Sequence, residues 1–124
     1  MKPILGRFEG PAYALMRIVV GFLFAFHGAQ KLIGLFGGQQ APMMSIYWFA
    51  GVIELVGGVL IMVGLLTSVV AFIASGEMAY AYFTAHAPKG TWPILNGGEL
   101  AALYCFVFLY IAARGGGAWS VDRR

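Results

Sequence analysis

The chain has 124 residues, of which 60% are apolar and 10% are charged, and its formal net charge is +3 at pH 7. Soluble domains carry about 25% charged residues, so the charged side chains are too few to cover a water-exposed surface. This composition excludes an ordinary cytosolic enzyme and a disordered segment. A nucleic-acid-binding module is excluded too, because the basic residues form no stripe with interleaved aromatic residues.

Four apolar stretches predict four membrane-spanning helices, since each span needs about 20 residues. The spans cover residues 11–35, 45–66, 68–86 and 97–114. The glycines at 37 and 38 break the chain after the first span, and two prolines lie in the loop after the third. Almost no loop separates the second span from the third, so these two helices are expected to form an antiparallel hairpin. Residues 1–124 are therefore predicted to form a single membrane domain.

The distribution of lysine and arginine predicts the orientation of the chain. The first span is too long for a signal peptide and is expected to remain in the mature protein. Basic residues concentrate at the two ends of the chain, at Lys2, Arg7, Arg114, Arg123 and Arg124. The positive-inside rule then places both ends in the cytoplasm, in agreement with an even number of spans. The predicted fold is an all-α membrane protein, an antiparallel bundle of four transmembrane helices.

Ionisable side chains within the apolar spans are the most informative feature of the sequence. A charge at the bilayer centre costs about 2.5–3.5 kcal/mol, so these groups are expected to face the interior and to meet one another. At about 1.5 Å per residue, Arg17, Glu77 and Glu54 lie about 9–18 Å from the cytoplasmic end, where the arginine can reach either carboxylate. An outer set at about 22–30 Å from that end consists of His27, Lys31, Glu99, Asn96 and His86.

Helical phase places the polar residues of each span on a shared face. These faces carry Arg17, His27 and Lys31 on the first span, Glu77, Tyr80 and Thr84 on the third, and Glu99, Phe106 and Tyr110 on the fourth. Two interpretations remain open. The polar face lines a cavity for a ligand or for protons, or it supplies hydrogen bonds that only hold the helices together.

The sequence contains no pattern for a metal or a redox cofactor. The single cysteine, Cys105, excludes an internal disulfide, a CxxC pair and a cysteine-based zinc site. His27 and His86 lack the spacing of a metal-binding motif, so no metal is expected. No ligand pattern for haem, flavin or an iron–sulfur cluster is present.

Several short motifs, taken in order and spacing, resemble the DoxX family of small four-helix bacterial membrane proteins. They are the stretches 17–21, 26–31, 54–58, 77–80, 96–99 and 117–122, together with His86. The resemblance covers residues 16–122. It implies a multi-pass protein of the bacterial plasma membrane with a polar interior formed by Arg17, His27, Lys31, Glu54, Glu77 and Glu99.

The resemblance also implies a link to membrane oxidoreductases, since the family includes the small subunit of a thiosulfate:quinone oxidoreductase. Electrons would then come from a bound quinone or from a partner oxidoreductase subunit. His27, Lys31 and Glu99 are expected to hydrogen-bond the quinone ring. Arg17, Glu54 and Glu77 are expected to relay protons, with Tyr80, His86 and Asn96 as secondary candidates. The alternative is a non-enzymatic subunit for small-molecule permeation or for assembly of a complex, including a homo-oligomer.

Overall fold

The fold is known from a computed structural model, which describes residues 1–122 and contains five α-helices and no β-strand within that range. The helices are α1 (Glu9–Ile33), α2 (Ile46–Val63), α3 (Thr67–Ala81), α4 (Pro93–Asn96) and α5 (Glu99–Arg114). A π-helical turn, Tyr82–His86, extends α3. The all-helical prediction is confirmed. Arg123 and Arg124, which contributed to the predicted orientation, lie outside the described residues.

Glycines in the left-handed region set several of the helix ends. Gly34 ends α1 with φ 78° and Gly64 ends α2 with φ 77°. Gly97, with φ 76°, follows α4, so α5 begins at Glu99 and not at residue 97 as predicted. Within residues 1–122, two helices are long and apolar enough to cross a membrane, Gly6–Ile33 and Ile46–Val63. The helices α3 and α5 are shorter, with 15 and 16 residues.

Helices α1 and α2 pack backbone against backbone in antiparallel directions. Gly21 of α1 faces Gly58 of α2, and Gly28 faces Gly51. A Cβ atom on Gly58 would lie 2.6 Å from the Gly21 carbonyl oxygen, and one on Gly28 would collide with the backbone nitrogen of Leu55. Only glycine allows this approach, which is the packing mode that small residues provide in membrane helices.

Helix α3 packs antiparallel against α5, whereas α1 and α5 are held apart by aromatic rings. The Ser75 hydroxyl donates to the Cys105 carbonyl at 2.7 Å and links α3 to α5. Between α1 and α5, the rings of Phe24 and Phe108 have centroids 4.6 Å apart, and those of Phe24 and Tyr104 are 5.3 Å apart. The contacts of α1 with α2 and of α3 with α5 are closer than the ring-filled contact between α1 and α5. This difference leaves space inside the fold near the C-terminal end of α1.

The C-terminal segment that follows α5 folds back across the end of the bundle at which α3 begins. The Asp122 carboxylate accepts hydrogen bonds from the backbone nitrogens of Leu66 (3.0 Å), which precedes α3, and Thr67 (2.8 Å), its first residue. It therefore caps a helix whose own preceding residue, Leu66, has φ 54° and no capping side chain. The hydrogen bonds from Thr67, followed by that from Leu66, hold the pKa of Asp122 below its usual value.

We predict that Gly28→Ala lowers the free energy of unfolding by about 1–3 kcal/mol, because the added methyl group must separate α1 from α2. The matched control is Gly76→Ala, since a Cβ on Gly76 meets no atom within 4 Å. The control should be neutral or slightly stabilising, because alanine favours the helix. Thermal unfolding in detergent measures both variants, and equal melting temperatures would contradict the packing described above.

Candidate functional site

An ion pair between a partly exposed lysine and a buried glutamate joins the end of α1 to the middle of α2. The Lys31 ammonium donates to Oε2 of Glu54 at 2.6 Å. The Glu54 side chain is 1% exposed and that of Lys31 is 35% exposed. The glycine contact between Gly28 and Gly51 lies directly beside this pair and brings the two helices close enough to form it.

A second carboxyl group approaches from α3. The side chains of Glu77 and Glu54 are within hydrogen-bonding reach of each other. In each of these residues the Oε1 atom is buried and has no donor within residues 1–122. Two carboxyl groups can hydrogen-bond to each other only when a proton lies between them. The site therefore combines one ammonium group with two carboxyl groups, and we refer to Lys31, Glu54 and Glu77 as the polar cluster.

One side of the polar cluster opens into a space of about 260 Å³ between α1, α2, α3 and α5, here called the inner cavity. Its polar lining consists of His27, Lys31, Glu54, His86 and Tyr104. Phe24 and Leu100 are among the apolar lining residues. The inner cavity thus presents several polar groups against an otherwise apolar wall, as small-molecule sites do.

The other side of the polar cluster opens into a larger space of about 650 Å³ between α2 and α3, here called the lateral cleft. Tyr47 and Ile53 of α2 face Glu77 and Tyr80 of α3 across it, and Thr84 extends the second wall. The predicted shared face of Glu77, Tyr80 and Thr84 is therefore confirmed. Lys31, Ala81 and His86 line both spaces, so the inner cavity and the lateral cleft adjoin at the polar cluster.

The two histidines of the inner cavity have different surroundings. The His27 ring meets the edge of Tyr104, with centroids 6.0 Å apart, and has no hydrogen bond to another side chain or backbone group of residues 1–122. His86 lies at the end of the π-helical turn, where its Nδ1 is 3.2 Å from the Asn96 carbonyl oxygen. When Nδ1 donates to that oxygen, Nε2 of the neutral ring is an acceptor.

Asn96 is buried and fully used by the loop between α3 and α5. Its Nδ2 donates to the Gly90 carbonyl at 3.0 Å and to the Tyr82 hydroxyl at 3.2 Å. Its Oδ1 accepts from the backbone nitrogen of Gly98 at 2.8 Å. Asn96 therefore positions the loop and His86, and it is not among the residues that line the two spaces.

The expected pairing of Arg17 with Glu54 or Glu77 is wrong. Arg17 is fully buried, but its guanidinium donates to the carbonyl oxygens of Gly116 (3.2 Å) and Trp119 (2.9 Å) in the C-terminal segment. The depth of a residue along its own helix gives no information about a segment that folds back beside it and offers its carbonyl groups.

The expected position of Glu99 in the polar interior is also wrong. Glu99 is exposed and lines a surface groove with Leu103 and Phe106. The buried residues of α5 are Ala101, Tyr104, Phe108 and Ile111. Glu99 precedes Ala101 by two positions and so points to the other side of the helix. Sequence reasoning missed Tyr104, although the spacing of the buried apolar positions on α5 contains the signal that finds it.

We predict a positive coupling between Lys31 and Glu54. The change Lys31→Met leaves a buried carboxylate without its partner and should cost about 1–3 kcal/mol, less than a fully buried pair because Lys31 is partly exposed. The double variant Lys31→Met with Glu54→Gln should be more stable than the sum of the single changes by about 0.5–3 kcal/mol. Unfolding of all four proteins in the same detergent measures this cycle, and additive changes would contradict the pair.

Within residues 1–122 no group of three or more histidine, cysteine or acidic side chains is arranged to hold a metal ion. No solved structure matches the chain.

Sequence comparison identifies relatives over almost the whole chain. A protein of Haemophilus influenzae without an assigned function is 48% identical over 90% of this chain and 88% of its own length. A Bacillus subtilis protein named "Putative oxidoreductase CatD" is 29% identical over 87% of this chain and 82% of its own. An uncharacterized membrane protein of Mycobacterium tuberculosis is 28% identical over 98% of this chain and 86% of its own.

The family model of DoxX matches residues 12–87, which include most of α1, all of α2 and α3, and all three residues of the polar cluster. This match agrees with the resemblance carried by the motifs of the sequence. The chain therefore belongs to the DoxX family of membrane proteins.

Proposed function

We propose that the protein is a quinone-linked oxidoreductase subunit that binds a quinone with its ring in the inner cavity and its isoprenoid tail in the lateral cleft. The observation that carries this proposal is the position of the polar cluster at the junction of a polar cavity and an apolar cleft. An amphipathic ligand with a compact polar ring and a long apolar tail matches such a pair of spaces.

The donors of the inner cavity suit the ring of a quinone. Its carbonyl oxygens accept hydrogen bonds, which the Lys31 ammonium and the imidazole of His27 can donate. Nε2 of His86 can accept a hydrogen bond from a quinol hydroxyl group. Tyr104 and Phe24 supply aromatic surface beside the ring. Glu99, which lies outside this cavity, has no part in the proposed contacts.

The lateral cleft suits an apolar chain that enters from the bilayer. Its walls contain Ile53 and Ile73, and it is flanked by Phe49 and Tyr47. The side chains of Phe49, Tyr47 and Ile73 are each about half exposed or more, so the cleft is open along its side. A tail lying there would exchange contacts with lipid for contacts with these side chains, so its contribution to binding comes from packing against the cleft walls.

The electrons must come from elsewhere, because the chain has no redox cofactor motif of its own. We propose a partner oxidoreductase subunit as their source. The family and the name of the Bacillus subtilis relative support an oxidoreductase role.

We further propose that α1, α2, α3 and α5 all cross the bacterial plasma membrane, with both chain ends in the cytoplasm and residues 1–124 forming one domain. The π-helical turn lengthens α3 as far as His86. Large apolar side chains on the outer faces of α3 and α5 are exposed, among them Phe72, Leu103 and Phe106. Lipid would cover these side chains, as it does in membrane bundles.

Quinone binding tests the function. Purified protein in lipid nanodiscs should bind ubiquinone or menaquinone, and a tail-less quinone should bind more weakly. His27→Ala should lower the affinity by about 3–10-fold, because one hydrogen bond contributes about 0.5–1.5 kcal/mol. The matched control, Glu99→Gln, should leave the affinity unchanged. Absence of binding by the wild type, or equal binding by His27→Ala, would overturn the proposal.

Cysteine labelling tests the topology. Single cysteines are introduced at Lys2 and at Lys89 in a Cys105→Ala background, which removes the chain's one native thiol. A membrane-impermeant maleimide should label position 89 in intact cells and position 2 only in inverted vesicles. Labelling of both positions from the same side would overturn the proposed arrangement of four spans.

A further inference from the structure

We propose that Glu54 and Glu77 form a carboxyl pair that holds one shared proton and passes protons between the lateral cleft and the inner cavity. The existence of the shared proton stands on the contacts of the polar cluster alone. Its use in quinone chemistry rests on the proposed function.

The two carboxyl groups belong to different spaces. Glu54 lines the inner cavity and Glu77 lines the lateral cleft, whereas neither lines both. Their carboxyl groups approach each other between α2 and α3, within the reach of a hydrogen bond if one of them carries a proton. The pair is therefore a polar connection through the wall that separates the two spaces.

The balance of charge in the cluster requires a proton. Lys31 is the one ammonium group facing the pair, and it bonds to Oε2 of Glu54. The other titratable groups beside the cluster are His27 from α1, His86 from the π-helical turn and Tyr104 from α5. One ammonium group offsets one carboxylate, and a second buried carboxylate would remain uncompensated at a cost of several kcal/mol.

The carboxyl oxygens that lack a hydrogen-bond donor also indicate one proton in the polar cluster. Within residues 1–122, Oε1 of Glu54 and Oε1 of Glu77 are buried and lack a donor. Buried polar atoms in native proteins nearly always have a hydrogen-bond partner. One proton held between the two carboxyl groups makes one of them a donor and the other an acceptor, so that both gain a hydrogen-bond partner.

The shared proton suits the reduction of a quinone. Reduction to the quinol adds two electrons, which the partner subunit supplies, and two protons. The pair releases its proton from Glu54 to a ring oxygen in the inner cavity and becomes doubly ionised. It then regains a proton through Glu77 from water at the end of the lateral cleft that Tyr80 and Thr84 line, beyond the apolar side chains that hold the tail. A second cycle delivers the second proton. Oxidation of a quinol runs the same steps in reverse.

Infrared spectroscopy of the quinone-free protein in nanodiscs tests the shared proton. At neutral pH the wild type should show one carboxylic acid C=O band that shifts in D₂O. Glu77→Gln should abolish this band, because the remaining Glu54 is then ionised against Lys31. The control Glu99→Gln should keep it. A wild type without the band, or a band that persists in Glu77→Gln, would overturn the proposal, and the wild-type measurement decides even if the variant fails to fold.

Proton uptake tests the transfer. When reduced methyl viologen, which donates electrons without releasing protons, reduces the bound quinone, a pH indicator should report proton uptake that is slower in Glu77→Gln by about tenfold or more. The uptake of all proteins is compared with every site occupied by quinone, because Glu77 lines the lateral cleft and its replacement also alters the proposed tail site. The control Glu99→Gln should leave the uptake rate unchanged, because Glu99 lines neither space. Unchanged uptake in Glu77→Gln would overturn the relay. The infrared band without any quinone binding would overturn the proposed function and leave the shared proton in place.

Discussion

A lysine and two glutamates lie together among apolar helices, and this arrangement must be electrically compensated. Lys31 and Glu54 offset each other at 2.6 Å. Their contact depends on how closely α1 approaches α2, and that approach depends on glycines at both helices. The charge cluster and the glycine seam are thus parts of one constraint: the seam sets the distance over which the charges interact, and a neutralised cluster makes the buried position tolerable.

The spacing between helices differs from pair to pair, and this difference creates the cavities. Glycine brings α1 onto α2, and a serine hydroxyl links α3 to α5. Aromatic rings, chiefly Phe24 and Tyr104, hold α1 away from α5. The inner cavity lies beside these rings and is lined on its other side by His27 and His86. A packed core with uniform spacing would leave no such volume, since protein interiors tolerate few voids.

The all-helical fold was predictable from the sequence, and so was the inward position of Lys31, Glu54 and Glu77, because burying a charge among apolar residues is costly wherever the helices lie. Their grouping was not, since depth along the helices assigned Lys31 to the outer set, whereas it pairs with Glu54. Two placements were not predictable in the same way. Arg17 takes its partners from a segment that returns from the other end of the chain. Glu99 depends on which face of α5 is buried, and a helix with apolar residues on most sides gives a weak indication of phase. The lateral cleft arises from the packing of α2 beside α3, which no local pattern encodes.

The returning segment also has a meaning for biosynthesis. The guanidinium of Arg17 enters the bilayer early in translation, whereas the carbonyl groups that receive it are made only after α5 is complete. Until then the nascent chain carries a guanidinium without its carbonyl acceptors within α1, and the N-terminus of α3 has no cap. A product that stops before Gly115 lacks both the acceptors of Arg17 and the cap of α3.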